Sequence, residues 1–287
     1  MAPIQARNSH AFSRVARGLL LAASGVVRWM LIALAVSGCG FSAELGFVDG
    51  DDDPSPDAGP DAGPTDVPRM CSTTDPTLRL CIDFDDTADL ATDGSRSALP
   101  VDAQNLVPML RDAEGAVEIN ATSRIYIPET PVLDIREDLT VSMWIKPTVA
   151  ITPIVTQWLY DNNTQYFASM RPDGAIRCGV GTRTLDTVPL VLDGRWHHIA
   201  CTYEEDEMRV YVDGHVAKCV QFSDREIPTD GNDGFAIGAN LSSMAGAPKF
   251  AEQFVGGIDN VQVFSRIVGS SELCAAAGGT VCNTACL

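Results

Sequence analysis

The part of the chain richest in reactive side chains is residues 193–214, DGRWHHIACTYEEDEMRVYVDG. It holds a histidine pair, His197 and His198, a cysteine, Cys201, and four consecutive acidic residues at 204–207. Such a set could bind a metal ion, supply a thiol nucleophile, or provide the paired carboxylates of a glycoside hydrolase. Each of these chemistries requires the side chains to lie together on one face. The secondary structure of the stretch therefore determines which of them is possible.

The pattern of this stretch predicts an antiparallel β-meander. Apolar or aromatic residues alternate along 199–203, the acidic run interrupts them, RVYV resumes the pattern, and Asp213-Gly214 forms a tight turn. Adjacent histidines on a strand point to opposite faces and chelate poorly. The acidic run occupies the tip of a hairpin, where carboxylates point into solvent. The stretch therefore indicates a scaffold, with Trp196, Ile199 and Tyr203 expected to pack in the core.

The first 39 residues have the character of an export signal. Four arginines and no acidic residue accompany an apolar run at 29–37, and Arg28 prevents a charge-free span of transmembrane length. The run ends in Val-Ser-Gly-Cys, which resembles a bacterial lipobox. That resemblance implies lipidation of Cys39 and a location in the cell envelope, at the outer membrane or surface. An ordinary signal peptide whose apolar run ends in cysteine is the alternative.

Residues 40–69 differ sharply in composition from residues 70–287. Aspartate alternates with proline and glycine, including a tandem Pro-Asp-Ala-Gly at 56–63. So few apolar side chains cannot offset the entropy of ordering, and we therefore expect a disordered acidic linker. Residues 70–287 then form one domain of a size usual for an all-β sandwich.

The charge of the chain limits its partners. It has 38 acidic and 20 basic residues, and loss of the four leader arginines leaves a net charge of −22. Such a surface repels phosphate backbones, which excludes nucleic acid as a partner.

The cysteines predict disulfide bonds. If Cys39 is lipidated, an even number remains in an exported chain, and the spacings expected of a zinc site are missing. Cys71–Cys81 is the best local pairing, since it closes a short loop, and the other pairings stay open. The eight residues are Cys71, Cys81, Cys178, Cys201, Cys219, Cys274, Cys282 and Cys286.

Short strands follow one another almost without helices. LTVSMWIKP at 139–147 alternates cleanly, with Val141, Met143 and Ile145 on one side and Ser142, Trp144 and Lys146 on the other. One short helix is predicted at 270–277, with a serine N-cap and Glu272 in its first turn. The absence of alternating strands and helices indicates an antiparallel sandwich or barrel. Strands are also predicted at 78–84, 116–119, 124–127, 151–160, 165–170, 175–180, 215–220, 235–238 and 254–264, and residues 86–113 are predicted to be irregular with one short strand.

Four motifs in order resemble the laminin-G-like, concanavalin-A-like domains. They are the meander at 193–214, LTVSMWIKP, FAIGAN, and the closing FVGGIDNVQVFSRIVGSSEL. The last departs from the family pattern at Asn260, where glutamate is usual, and at 267–269. The resemblance implies an all-β, two-sheet antiparallel jelly roll, stabilised here by disulfides and ending in a short helix.

Related jelly rolls include glycoside hydrolases that carry E-x-D-x-x-E on a strand. The nearest match here is Glu204-Glu205-Asp206-Glu207, which falls in a turn. We therefore predict that the protein is not an enzyme; a divergent glycoside hydrolase is the disfavoured alternative.

The resemblance implies binding of a glycan or a surface protein. Trp158 and Tyr160, followed by Asp161 and Asn162, combine aromatic rings with hydrogen-bonding groups, although a plain turn is also consistent with them. Tyr166 and Tyr211 could also stack on a sugar, whereas Trp144 and Trp196 are expected in the core.

The family also implies a structural or ligand-bridging Ca²⁺. Transferred by position, its ligands are Asp259, Asp85 and the region of Asn120. The alternative for Asp259 is a carboxylate that caps backbone amides at a strand end.

Together these features predict a lipid-anchored, monomeric, non-catalytic binding module of the cell envelope. A structural or adhesion component without a small ligand is the alternative.

Overall fold

The computed structural model describes residues 71–148, 152–158, 164–204, 206–223, 227–228, 234–242, 249–251 and 253–286. The predicted export signal, its Cys39 and the linker at 40–69 lie outside these residues and stay predictions. Within the described ranges, no helix has the length and apolar character needed to cross a membrane.

Two antiparallel sheets form the domain, and their strands are numbered here in chain order. The first sheet contains β1 (Leu78–Ile82), β3 (Val107–Arg111), β4 (Glu114–Ile119), β6 (Leu139–Pro147), β11 (His197–Glu204), β12 (Glu207–Val212), β13 (His215–Gln221) and β17 (Gly256–Phe264). The second contains β2 (Asp102–Gln104), β5 (Arg124–Ile127), β7 (Thr152–Trp158), β8 (Thr164–Met170), β9 (Ala175–Gly181), β10 (Arg183–Pro189) and β14 (Phe235–Ile237). A hairpin, β15 (Asn240–Ser242) and β16 (Lys249–Ala251), and one helix, α1 (Ser270–Ala276), complete the described part of the fold.

The order of strands in the first sheet is β13-β12-β11-β6-β17-β4-β3, and β1 also pairs with β17. In the second sheet it is β10-β9-β8-β7-β14-β5-β2. The predicted all-β, two-sheet antiparallel fold is confirmed.

The core lies between the two sheets and follows the period-2 pattern of the sequence. Along β6, Val141, Met143 and Ile145 are buried in it, as predicted. Ile199 and Tyr203 of β11 belong to the same cluster. A second, smaller apolar cluster lies on the opposite, outer face of the first sheet, where Tyr211 and Phe264 pack with Leu273 of α1. The first sheet is therefore covered on its outer face at the end where the helix lies.

Four disulfides join elements that are distant in the chain or stabilise its ends. Cys71–Cys81 closes the start of the domain, as predicted, and Cys178–Cys201 connects β9 of the second sheet with β11 of the first. Cys274–Cys282 and Cys219–Cys286 attach the C-terminal tail to α1 and β13.

Local predictions fail where loops fold into short strands. The segment at 86–113, expected to hold one strand, holds β2 and β3, and the sequence pattern does not predict β10 at all. The predicted serine N-cap of α1 is also wrong. Gly269 occupies the N-cap without a side-chain hydrogen bond, and Ser270 Oγ instead lies 3.1 Å from the Tyr211 hydroxyl. Glu272 does lie in the first turn.

Candidate functional site

A groove of about 730 Å³ runs along the outer face of the first sheet. Its floor comes from β6 and β17, one wall from α1, and one end from the turn between β3 and β4. Its lining residues include Ser142, Trp144, Gln262 and Phe264 of the floor, Ala275, Ala276, Ala277 and Gly278 of the helical wall, and Asp75, Arg111, Asp112, Glu114, Arg266 and Glu272 at the ends.

A β-bulge sets the polar residues of the floor. Asp259 pairs with Trp144, but Gln262, three residues later, pairs with Ser142, so β17 carries one extra residue. Asn260 absorbs the bulge with a φ of 49°, a left-handed conformation that asparagine tolerates well. Because of the extra residue, Asp259 and Gln262 both face outward although they are an odd number of positions apart.

Arg111 connects the floor with the end of the groove formed by the β3–β4 turn. Its Nε donates to Asp259 Oδ2 at 2.6 Å, and its Nη2 donates to Glu114 Oε2. The guanidinium carbon lies 4.5 Å above the centre of the Trp144 ring, which adds a cation–π contact. The edge of the same indole meets the ring of His198, with centroids 5.4 Å apart. These five side chains form one polar network on the outer face.

Burial shifts the protonation of two members of this network. Asp259 has no exposed surface, and burial raises the pKa of its carboxyl to about 7 against the opposing effect of Arg111. His198 is 1% exposed, and burial, aided by the charge of Arg111, lowers the pKa of its imidazole to about 4. Asp259 Oδ1 and His198 Nδ1 have no hydrogen-bond partner in the described structure. Near neutral pH, His198 is therefore neutral.

The other end of the groove has a second arginine with two carboxylates. Arg266 donates to Glu272 at 2.6 Å and 3.0 Å and to Asp75 at 3.2 Å. Hydrogen bonds to Arg266 lower the pKa of Glu272, and those to Thr77 and Arg266 lower the pKa of Asp75 despite its partial burial. This cluster attaches the first turn of α1 to the segment that leads into β1.

The sequence-predicted ligand residues fall largely outside the described part of the protein. The backbone of Trp158 ends β7, but its side chain, and Tyr160, Asp161 and Asn162 as a whole, lie outside the described residues. Their role stays a prediction.

The predicted calcium ligands contact protein groups. Asp85 Oδ1 accepts a hydrogen bond from the Gly115 amide, Asn120 Oδ1 accepts from Thr122, and Asp259 is paired with Arg111. These contacts do not favour a calcium ion, and the calcium site stays a prediction.

One group of described His, Cys, Asp and Glu side chains is close enough to share an ion. It is formed by Glu207, Cys219 and Cys286, and two of these are joined as a disulfide. Because a disulfide sulfur is not a thiolate ligand, this group does not provide a metal site.

The aromatic residues correct two expectations. Trp144 and Trp196 were expected in the core, but both are half-buried outside it. Trp144 lies under Arg111 on the outer face, and Trp196 packs over Gly257, where a Cβ atom would lie 2.5 Å from the indole. Conversely, Tyr166 and Tyr211 are buried and cannot stack on a sugar.

Sequence reasoning missed most of the groove. Arg111 falls in a segment expected to be irregular, so nothing marked it as a buried partner of Asp259. The available signals were the outward phase of Ser142 and Trp144 and the polar residues at 259, 260 and 262 within an otherwise apolar strand.

Several solved structures that match this chain are binding domains. The binding domain of Paraclostridial Mosquitocidal Protein 1 matches with a TM-score of 0.55 and 15% identity over 70% of this chain and 52% of that one. The binding domain of botulinum neurotoxin DC in complex with SialylT matches with a TM-score of 0.54 and 9% identity. That match covers 71% of this chain and 51% of the neurotoxin domain. This chain thus spans about half the length of these toxin domains.

Domain 4 of AbnA, a GH43 extracellular arabinanase from Geobacillus stearothermophilus in complex with arabinotriose, matches with a TM-score of 0.52 and 22% identity. The match covers 70% of this chain and 98% of that one. At such identities, these likenesses show the fold alone.

A search of curated protein sequences gave no match. A laminin G family model, described as the concanavalin A-like lectin/glucanases superfamily, matches residues 120–274, more than half of the sequence. The chain therefore belongs to the concanavalin A-like lectin and glucanase superfamily.

Proposed function

We propose that the protein is a non-catalytic binding module that recognises a glycan or a surface protein through the groove on the outer face of the first sheet. The groove carries this proposal: it is concave, its volume of about 730 Å³ lies in the range of ligand sites, and its lining combines an aromatic ring, small apolar residues and charges. Neighbours of the same fold occur in complex with arabinotriose, SialylT and rat synaptotagmin II.

Asp259 and Glu114, the two carboxylates held by Arg111, are poorly placed for hydrolysis. A glycosidase needs one carboxyl group that protonates the leaving oxygen and a second that acts as nucleophile or base, both in reach of the sugar. Asp259 has no exposed surface, and Arg111 binds both Asp259 and Glu114. A carboxyl without exposed surface cannot reach a glycosidic oxygen.

A groove-filling variant tests the binding site. Ala275 is exposed on the helical wall, so Ala275→Trp places a bulky ring in the groove without disturbing the core. The exposed Ala121, in the turn after β4, provides the matched control Ala121→Trp. We expect ligands found on arrays of glycans and surface proteins to lose at least tenfold in affinity with the first variant and to bind the second normally. Equal binding by both variants would place recognition elsewhere.

The same assay with EDTA tests the calcium prediction at Asp85, Asn120 and Asp259. Because Arg111 already neutralises Asp259, we expect the chelator to leave binding unchanged. A loss of binding that added Ca²⁺ restores would establish a calcium-assisted site.

We further propose that the protein acts as a monomer attached to the envelope through lipidated Cys39. Cys39→Ala should move the protein from the membrane to the soluble fraction, and light scattering of that soluble variant should give the monomer mass. Unchanged membrane partitioning would contradict the anchor.

A further inference from the structure

The groove lining carries more negative than positive charge. Four carboxylates, those of Asp75, Asp112, Glu114 and Glu272, face two guanidinium groups, Arg111 and Arg266. The chain as a whole carries a net charge of −18, so its remaining surface adds to the negative potential.

Both arginines already have anionic partners within the protein. Arg266 is paired with Asp75 and Glu272, and Arg111 is paired with Asp259 and Glu114. Neither guanidinium is therefore available to attract an anionic ligand at full strength, which disfavours acidic sugars and acidic peptides.

The negative charge in excess lies at the β3–β4 turn. Asp112 is exposed at the tip of this turn and has no hydrogen bond or ion pair with any described residue. The side chain of Glu114 beside it is 40% exposed, and Arg111 engages its Oε2. A cation that enters this end of the groove meets two accessible carboxylates.

The rest of the lining suits a peptide better than a sugar. Sugar sites use a free aromatic face and free hydrogen-bonding groups. Here Arg111 covers one face of the Trp144 ring, and Ser142 Oγ is bonded to Gln262 Oε1 at 3.2 Å. The helical wall offers the small apolar surface of Ala275, Ala276 and Ala277.

Building on the proposed function, we infer that the ligand of the groove is a peptide segment of another protein that carries a lysine or arginine next to an apolar side chain. The basic side chain binds Asp112 and Glu114, and the apolar side chain packs against the alanines of α1. Charge complementarity supplies orientation and a dependence on salt, while apolar contact supplies most of the affinity.

Two matched peptides and one neutral sugar test this inference on the full chain. The peptides are acetyl-Gly-Arg-Leu-Gly-amide and acetyl-Gly-Glu-Leu-Gly-amide, and arabinotriose is the sugar. Binding is followed by NMR through the Trp144 indole and the Ala275 amide. We expect saturable shifts with the arginine peptide, which weaken as salt increases, and at least tenfold weaker binding of the glutamate peptide and of arabinotriose.

Charge variants separate this inference from the proposed function. Asp112→Asn should weaken the arginine peptide about two- to fivefold, as expected for an exposed ion pair, whereas Asp89→Asn, an exposed aspartate outside the groove lining, should not. Equal binding of the two peptides, equal effects of the two variants, or preferential binding of arabinotriose would overturn the basic-peptide inference. In each of those cases, sensitivity to Ala275→Trp would preserve the groove as a binding site, and insensitivity of every probe to Ala275→Trp would contradict the proposed function as well.

Discussion

His197 and His198 are neighbours on β11, yet they occupy opposite electrostatic environments. His197 lies between two turns, with Nδ1 2.9 Å from Asp213 and Nε2 2.9 Å from Asp193. The hydrogen bond to Asp213, reinforced by Asp193, raises the pKa of His197 against the effect of its burial. His198 packs against Trp144 near Arg111, where burial lowers its pKa to about 4.

The difference arises from strand geometry. Successive side chains point to opposite faces, so one step along β11 moves the imidazole from acidic turns at the end of the sandwich to a buried position beside Trp144. The sequence pattern correctly predicts that the pair cannot chelate one ion. The comparison shows, in addition, that the outer face of the first sheet has a buried polar network of its own, and three experiments test this contrast.

The largest effect is expected from removing the cation of the His198 environment. Arg111→Ala leaves Asp259 buried without its cationic partner and removes the contact above Trp144, so the free energy of unfolding should fall by about 3–5 kcal/mol. Urea denaturation followed by tryptophan fluorescence measures it.

The double variant Arg111→Met with Asp259→Leu is the matched control, because it removes both charges and keeps apolar volume. It should recover most of the lost stability. A loss below about 1 kcal/mol for Arg111→Ala alone would show that the ion pair is not buried as described.

The second prediction concerns pH. The unfolded chain protonates His198 near pH 6.5 and the native state near 4, so the contribution of His198 to stability is lost as the pH falls between these values. Asp259 acts in the opposite sense: native Asp259 takes up its proton near pH 7 and the unfolded chain near 3.8, so its contribution is lost as the pH rises through 7. The two contributions partly cancel in the native protein.

Single variants should reveal each contribution. Between pH 6.5 and 4, the unaltered protein should lose about 3 kcal/mol of unfolding free energy through His198. His198→Phe should not show this loss, because phenylalanine keeps the contact with Trp144 and has no proton to take up. Asp259→Asn should change in the reverse direction between pH 7 and 4. Unfolding curves at half-unit pH steps measure both, and parallel profiles for all three proteins would contradict the described burial.

The smallest effects are expected at His197. Asp213→Asn should lower the His197 pKa, because the hydrogen bond that His197 donates to Asp213 is the largest cause of its elevation, and Asp193→Asn should lower it less. The stability that His197 contributes is present below pH 6.5 and lost as the pH rises through its raised pKa. Both variants should therefore make the unfolding free energy depend less on pH in that range. An NMR titration of the His197 imidazole measures its pKa in each variant. A larger fall in this pKa for Asp193→Asn than for Asp213→Asn would contradict the prediction.

The fold could be predicted because its signals are local. The alternation in LTVSMWIKP and the turn dipeptide Asp213-Gly214 depend on neighbouring residues, and they identified β6 and the meander correctly. The groove could not be predicted in this way. The Arg111–Asp259 pair joins residues 148 positions apart, and it lies beside the bulge at Asn260. The period-2 pattern does not predict such a bulge or the change of register that it causes.

Trp196 illustrates a further limit. A tryptophan at the start of an apolar strand is expected in the core, but Gly257 leaves a space on the outer face that the indole fills. A pairing of a large residue on one strand with the missing side chain of another can be seen only once the two strands are adjacent.

The position of β17 has a consequence for how the chain is made. This strand, near the end of the sequence, lies in the middle of the first sheet, with β6 along one edge and β1 and β4 along the other. Because synthesis proceeds from the N-terminus, β6 and β4 emerge without the partner that joins them. The first sheet can therefore close only after residues 256–264 have been synthesised, and a truncation before residue 256 removes the centre of the sheet rather than its margin.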